Sequence, residues 1–124
     1  MIVGLGNDII EIERVRRLIE KFGEHCVGRI YTPIEWAYCW QRGNPFASFA
    51  ARFAAKEAVA KALGVGFGAR LSLTSIEVYN NEMGAPQVRL YAPQTLLPQY
   101  EPGKIKIALS HCRTFASAVA IIMA

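Results

Sequence analysis

Two acidic residues in unlike surroundings are the strongest candidates for chemistry in this chain. Asp8 follows the apolar N-terminal run MIVGLGN, whereas acids are usually found in solvated loops. Glu57 lies in an alanine-rich segment, with Lys56 beside it and Lys61 one helical turn later. Mg²⁺ binds oxygen ligands, commonly one or two carboxylates together with water and substrate phosphates. Two such acids near lysines therefore indicate a site that holds a hard cation against a phosphate.

Each acid also has a simpler interpretation. Glu57 and Lys61 are four residues apart, so on a helix they could form an ordinary surface ion pair worth a few tenths of a kcal/mol. Asp8 could cap the helix that begins nearby. The metal hypothesis has one further requirement: two acids that are distant in the sequence must lie close together in the fold.

Glycines follow the segment that carries the lysines. The run GVGFG at residues 64–68 could be a helix C-cap and loop, or a cradle for phosphate beside the lysines. A dinucleotide fingerprint is excluded because Ile9 stands where GxGxxG requires its third glycine, and no P-loop motif occurs.

His111, one of two histidines in the chain, follows an alternating apolar segment. It could be structural, donate to a phosphate, or accept a proton through water. The adjacent Ser110 and Cys112 would point away from it on a strand, so these three residues do not form a catalytic triad.

Four basic residues lie within eight positions of the predicted first helix: Arg14, Arg16, Arg17 and Lys21. Such a cluster is either a solvated helix face or a docking face for an acidic partner. A nucleic-acid-binding module is the competing hypothesis. It predicts aromatic residues interleaved with the basic ones, and this segment contains none.

Size and composition limit the class of protein. The 124 residues suit one domain spanning 1–124. The hydrophobic fraction of 52% against 19% charged residues predicts apolar surface buried between subunits. The net charge of +4 favours phosphate-rich ligands or acidic proteins.

The expected location is the cytoplasm. No apolar run approaches the roughly 20 residues that span a bilayer, and no basic region precedes the N-terminal apolar stretch, so we expect neither a membrane span nor a signal peptide. Three cysteines without CxxC spacing indicate reduced thiols and no zinc site.

The first half of the sequence predicts one strand and three helices. Ile2, Val3 and Leu5 predict a buried strand, in which two glycines allow close backbone approach. A helix is expected from about residue 11 to 22, with an apolar stripe that includes Phe22 and a stop at the next glycine. TPIE at residues 32–35 predicts a helix with a capping box, and Ser48 is expected to cap a long helix ending near residue 63.

The second half predicts strands. Leu71, Leu73, Ile76 and Val78 suggest one strand, and a turn-rich segment then predicts a hairpin that extends to Ala92. A short helix at residues 93–98 and strands at 104–109 and 114–123 follow. The last strand is apolar on both faces, as expected of a central strand.

Four segments together resemble the holo-acyl-carrier-protein synthases, the short bacterial type of 4′-phosphopantetheinyl transferase. They are GLGNDIIEI around Asp8, TPIE, RFAAKEA at residues 52–58 with its following lysine and glycine, and LSH ending at His111. They occur in the family's order and cover nearly the whole chain. The RFAAKEA segment is the most specific of them.

The resemblance implies an α+β fold in which an antiparallel sheet packs against a long helix, and it implies trimers with active sites between subunits. It implies transfer of the phosphopantetheine arm from coenzyme A to a serine of acyl carrier protein. Asp8 and Glu57 would bind magnesium, the coenzyme A pyrophosphate would complete its shell, and Lys61 would stabilise phosphate charge. Glu57 or a metal-bound water is the expected base, with His111 behind them.

The resemblance also implies the remaining contacts. Coenzyme A would lie near Lys56, Lys61, Gly64 and His111, and the hairpin at Gly84 would approach its adenine. The carrier protein would dock on the first helix through three basic residues: Arg14, Arg17 and Lys21.

Three departures from the family's pattern qualify these expectations. Met83 stands before Gly84 where the family often has asparagine. Ile10 stands where longer members have a third acid, so an extra water would complete the metal shell. Residues 41–48 match poorly and leave the 3′-phosphate contacts unassigned. A family member that keeps the fold without activity is a further alternative, against which the retained acids argue.

Overall fold

A computed structural model describes residues 1–68, 71–91 and 103–124. Its strands and helices are, in chain order, β1 (Ile2–Glu11), α1 (Ile12–Phe22), α2 (Pro33–Trp40), α3 (Pro45–Leu63), β2 (Ile76–Asn80), β3 (Pro86–Leu90), β4 (Ile105–His111) and β5 (Phe115–Met123). Short 3₁₀ turns occupy Gly23–Cys26 and Leu73–Ser75. The predicted α+β class is confirmed. Among the described residues no helix is long and apolar enough to cross a bilayer.

All strand pairs between these elements are antiparallel. β5 lies between β1 and β4, as its apolar residues on both faces predicted. β2 and β3 form the predicted hairpin as a separate two-stranded sheet. Asp8 stands opposite Ala118 on β5, and Ala118 stands opposite Leu109 on β4. This register places the start of the chain beside its last two strands.

The long helix α3 packs against one face of the three-stranded sheet. The contact is close because small residues meet: alanines on α3 and β5 are fully or nearly fully buried, and β1 contributes glycines. A Cβ atom at Gly4 would lie 2.4 Å from the Ala62 carbonyl oxygen, and one at Gly6 would lie 2.0 Å from that of Ala58. The predicted close approach is therefore observed, and it brings α3 directly onto the strand that carries Asp8.

The opposite face of the same sheet is apolar and exposed. Leu5 is 69% exposed and Val3 is 50% exposed, and on β5 both Val119 and Phe115 remain exposed. The prediction that the first strand is buried is therefore wrong for the single chain, because only its α3-facing side is covered. An apolar face of this kind is typical of an interface with another protein chain.

Helix ends follow the sequence signals except at the start of α3. Thr32 and Glu35 form the predicted capping box. The long helix begins earlier than expected, because the side chain of Asn44 accepts from the Ala47 N–H and Ser48 lies inside the helix. Phe22 is exposed and does not extend the buried stripe of α1.

The hairpin region also differs in detail from its prediction. β2 begins at Ile76, because Leu73 lies in a 3₁₀ turn and Leu71 precedes it. The expected helix at residues 93–98 and the hairpin position Ala92 lie outside the described residues.

Candidate metal and phosphate site

Asp8 and Glu57 converge although 49 positions separate them in the sequence. Asp8 lies within β1 on the face that α3 covers, and its side chain is 18% exposed. Glu57 lies on α3, half-buried, close enough for the Asp8 charge to act on it. The alternative of Asp8 as a helix cap is excluded. The N-cap of α1 is Glu11, which makes no side-chain capping bond, and Asp8 is three residues earlier.

Lys61 is paired with Asp8 in the structure. Its Nζ lies 3.2 Å from Asp8 Oδ1 and donates to the carbonyl oxygen of Asn7 at 2.9 Å. Among the ion pairs of residues 1–68, 71–91 and 103–124, Lys61 contacts Asp8 and not Glu57. The ordinary Glu–Lys surface pair is therefore not formed. The lysine reaches across from α3 to β1 instead.

The electrostatics of Glu57 differ from those of a surface acid. Burial raises the pKa of its carboxyl group above the ordinary value, and the negative charge of Asp8 raises it further. The nearby positive charge of Lys61 opposes both effects. A half-buried carboxyl group whose neighbour is a second carboxylate forms a site that favours a cation.

An open groove of about 270 Å³ lies beside these side chains. Glu57, Lys61 and Gly64 line it together with the loop at residues 65–67. Gly64 ends α3 in the left-handed conformation, with φ of 72°. The glycine segment is thus both a helix C-cap and the wall of a groove, so its two interpretations do not exclude each other.

Comparisons with known proteins identify the family. The sequence profile of the 4'-phosphopantetheinyl transferase superfamily matches residues 4–120. This chain belongs to that superfamily. It is 45% identical over 118 residues to the holo-[acyl-carrier-protein] synthase of Chlamydia muridarum (strain MoPn / Nigg), covering 95% of this chain and 92% of that protein. The predicted family and enzyme class are confirmed.

Solved structures of this transferase family share the fold. The crystal structure of holo-[acyl-carrier-protein] synthase from Neisseria meningitidis has a TM-score of 0.85 and 34% identity, with 100% of each chain covered. The Helicobacter pylori enzyme in complex with coenzyme A has a TM-score of 0.82 and 29% identity, covering 96% of this chain and 99% of that one. The predicted transferase fold is therefore confirmed.

The donor set suits a hard divalent ion in a transferase of this family. Asp8 and Glu57 supply carboxylate oxygens, and position 10 is the apolar, buried Ile10. No group of three or more His, Cys, Asp or Glu side chains that could hold a metal occurs within the part of the chain that the structure describes. Protein ligands would therefore be two, and phosphate and water oxygens would have to supply the rest.

Lys56, which was expected near coenzyme A, has a fully buried side chain in the structure. Its ammonium group contacts Glu35 Oε1 at 2.7 Å and donates to the carbonyl oxygens of Leu73 and Ile76. All three N–H donors are used, so none is left for a ligand. Lys56 instead connects α3 to the segment that leads into β2.

A second cavity of about 370 Å³, bordered by Gly84, contains a residue that the sequence analysis left unassigned. Arg52 is 4% exposed, stacks 4.2 Å over the ring of Tyr38, and bonds to Asn80. Its Nε is buried and has no hydrogen-bond partner among the described atoms. Arg42 also lines this cavity. Glu82 also lines the cavity, but within the described ranges neither guanidinium group forms an ion pair, and two such groups favour an anion.

The two cavities do not merge within one chain. Arg52 and Glu57 are five residues apart on α3, which places them roughly 140° apart around the helix axis. Gly84 belongs to the Arg52 cavity and not to the groove beside Glu57. His111 is exposed at the end of β4, about 10 Å from β1 across two strand spacings. One chain therefore does not bring all the predicted contacts together.

The basic residues on α1 are unevenly paired. Arg16 contacts Glu20 at 2.9 Å and Glu13 at 3.9 Å, and Arg17 lies 3.7 Å from Glu13. Lys21 lies over the ring of Phe22. Arg14 is exposed and is in none of the ion pairs found within the described ranges. Intrahelical pairing thus neutralises part of the cluster and leaves Arg14 and Lys21 as its strongest sources of positive charge.

Proposed function

We propose that this protein transfers the 4′-phosphopantetheine arm of coenzyme A to a serine of apo-acyl carrier protein. The products are holo-acyl carrier protein and adenosine 3′,5′-bisphosphate, and the proposed setting is fatty acid biosynthesis in the cytoplasm. The observation that carries this proposal is that Asp8 lies beside Glu57 and Lys61, which line a groove, in a chain of this family. The names of its relatives support the same activity.

Magnesium is the proposed metal, held by Asp8 and Glu57. Two carboxylates, one with its pKa raised by burial and by the other, suit a small cation with an oxygen shell. When bound, the ion would neutralise charge on the diphosphate of coenzyme A. With only two protein ligands expected, that diphosphate and water complete the shell.

The proposed reaction needs no nucleophile from this chain. The serine oxygen of the carrier attacks the phosphorus that bears the pantetheine arm, the phosphoanhydride P–O bond breaks, and adenosine 3′,5′-bisphosphate leaves with the electron pair. Glu57 or a metal-bound water is the proposed acceptor of the serine proton. Lys61 stabilises charge that develops on the transferring phosphoryl group.

The nucleotide end of coenzyme A is proposed to use the Arg52 cavity. A buried guanidinium with an unpartnered Nε suits one phosphate, and Arg42 lies on the same wall. Gly84 belongs to the proposed adenine contact on that wall. Because this cavity and the groove beside Glu57 open on different sides of α3, we propose that a complete site combines cavities of two subunits.

A homotrimer is the proposed assembly. The exposed apolar face of β1 and β5 gives the surface that subunits would bury. Light scattering after size exclusion should give a trimer for the wild type and smaller species for Leu5→Asp. Phe22→Asp, an equivalent change on an exposed ring of α1, should keep the trimer. A trimeric Leu5→Asp protein would reject this face as the interface.

The carrier is proposed to dock on α1 through Arg14, Arg17 and Lys21. Acyl carrier protein is the proposed acidic partner, and positive residues on an exposed helix favour both encounter and orientation of such a partner. His111, at the exposed end of β4, is also proposed to lie beside coenzyme A.

Mass spectrometry of apo-acyl carrier protein tests the activity directly. Incubation with coenzyme A, magnesium and this protein should add the phosphopantetheine mass to the carrier. Asp8→Ala and Glu57→Ala should abolish the gain while circular dichroism remains native, and Glu24→Ala in the 3₁₀ turn after α1, where Glu24 is exposed, should retain it. No mass gain with the folded wild type would refute the proposed function.

A further inference from the structure

Lys61 and a metal ion would use the same carboxylate. The ammonium group lies 3.2 Å from Asp8 Oδ1 and is fixed by a second bond to the Asn7 carbonyl oxygen. Asp8 is also one of the two carboxylates proposed to hold the metal, and its side chain is mostly buried. A divalent ion on Asp8 would therefore lie within a few ångströms of a positive charge that two bonds hold in place.

We propose that Lys61 competes with the metal for Asp8 and that the diphosphate of coenzyme A removes this competition by drawing the ammonium away. This inference rests on the proposed function, since it concerns the same metal and the same substrate. It assigns Lys61 two roles: a counter-ion of Asp8 when no diphosphate is bound, and a phosphate ligand when one is.

The geometry permits the exchange of partners. Lys61 is on the last full turn of α3, its side chain is 53% exposed, and the groove that it lines runs on to Gly64 and the loop beyond. A lysine side chain is long and flexible, so it can turn from Asp8 toward the groove without any backbone movement. The pair with Asp8 is partly exposed, and such pairs are weak enough to be exchanged for a phosphate contact.

The consequence is positive coupling between metal and coenzyme A. Before coenzyme A binds, the lysine lowers metal affinity; after it binds, the lysine interacts with the diphosphate that also holds the metal. By linkage, each ligand then increases the affinity for the other. A metal ion would be retained chiefly together with the diphosphate that it is to neutralise.

Metal titration of Lys61→Met, without and with coenzyme A and always without carrier protein, tests the proposal. Mn²⁺ is the probe, and its binding is followed by electron paramagnetic resonance. In the free protein the substitution should tighten Mn²⁺ binding roughly threefold to tenfold, the range set by a partly exposed ion pair and added charge repulsion. With saturating coenzyme A the same substitution should weaken Mn²⁺ binding.

The opposite signs separate this role from simpler ones. If Lys61 acted only through its positive charge, its loss would tighten Mn²⁺ binding both without and with coenzyme A. If its role were purely structural, its loss would weaken Mn²⁺ binding in both states. Either pattern overturns the proposal. Arg29→Met, which removes one positive charge from an exposed position between α1 and α2, is the control and should change neither affinity.

Asp8→Ala separates failure of this inference from failure of the proposed function. If it abolishes Mn²⁺ binding and Lys61→Met does not change sign between the two states, the competition is refuted and the metal site stands. If Asp8→Ala leaves Mn²⁺ binding unchanged, both the competition and the proposed metal site are refuted.

Discussion

The buried ion pair between Glu35 and Lys56 gives the sharpest prediction about the scaffold. Both side chains are fully buried, and Oε1 of Glu35 lies 2.7 Å from the ammonium. Glu35 also accepts from the N–H groups of Thr32 and Val78, at 2.8 and 2.7 Å. The pair therefore joins the start of α2, the middle of α3 and the strand β2. Glu35→Gln removes the charge while nearly preserving the shape.

The expected cost is large because a charge would be left buried without its partner. Breaking a buried ion pair from one side typically costs about 3–5 kcal/mol, against a total stability of roughly 5–15 kcal/mol for a domain. Lys56→Met should cost a similar amount, since it leaves the carboxylate of Glu35 alone. The double variant contains neither charge, so its cost should fall below the sum of the single costs by about 2 kcal/mol or more.

Urea unfolding at a fixed protein concentration measures these costs. Glu20→Gln is the control, because Glu20 pairs with Arg16 on the exposed surface and should cost no more than about 1 kcal/mol. Additive single costs, or a Glu35→Gln cost as small as that of the control, would refute the reasoning. If Glu35→Gln does not fold alone, recovery of folding in the double variant still tests the coupling.

The same pair predicts a dependence on pH. Burial lowers the pKa of Lys56, and Glu35 opposes that effect. A lysine whose folded pKa lies below its unfolded value loses its proton first in the folded state, so stability rises as pH rises toward the unfolded value. In Glu35→Gln the opposing charge is gone. The free energy of unfolding of Glu35→Gln should lie below that of the double variant at neutral pH. This difference should shrink as pH rises into the alkaline range.

Three further predictions concern the site. Gly6→Ala should destabilise the fold by about 1–3 kcal/mol or more in urea unfolding and reduce turnover, because its Cβ would meet a backbone carbonyl of α3 at 2.0 Å. Gly43→Ala is the control and should be nearly neutral, because the space around Gly43 is open. In Asp8→Asn, carbon-13 titration should give a lower pKa for Glu57 than in wild type, still above the ordinary value because burial persists; an unchanged pKa would contradict the convergence of the two acids. Arg14→Glu should raise the KM for acyl carrier protein and spare the KM for coenzyme A in steady-state assays, and an unchanged carrier KM would reject the docking face.

The features that sequence alone predicted well are those with local causes. The capping box at Thr32 and Glu35 combines turn chemistry with a short spacing, and the glycines of β1 indicated a close contact. Apolar residues on both faces of the last strand correctly indicated its central place. The convergence of Asp8 and Glu57 was a long-range expectation, and it depended on the resemblance to a family as much as on the residues.

The features that sequence missed depend on tertiary partners. Lys56 and Lys61 are both lysines near Glu57, yet one is fully buried against Glu35 and the other reaches Asp8. Spacing along a helix predicts which face of the helix a residue occupies, but not which other elements pack against that face. The buried guanidinium of Arg52 was missed for the same reason, since only the fold shows that its Nε is buried without a hydrogen-bond partner among the described atoms. Exposure of the first strand similarly depends on what packs against each side of the sheet.

The most direct test of the central claim is the position of a metal ion in a crystal of this protein with Mn²⁺ and coenzyme A. One anomalous-scattering peak is expected within bonding distance of a carboxylate oxygen of Asp8, a carboxylate oxygen of Glu57 and the diphosphate. A peak bound by only one of the two acids, or located away from the diphosphate, would contradict it.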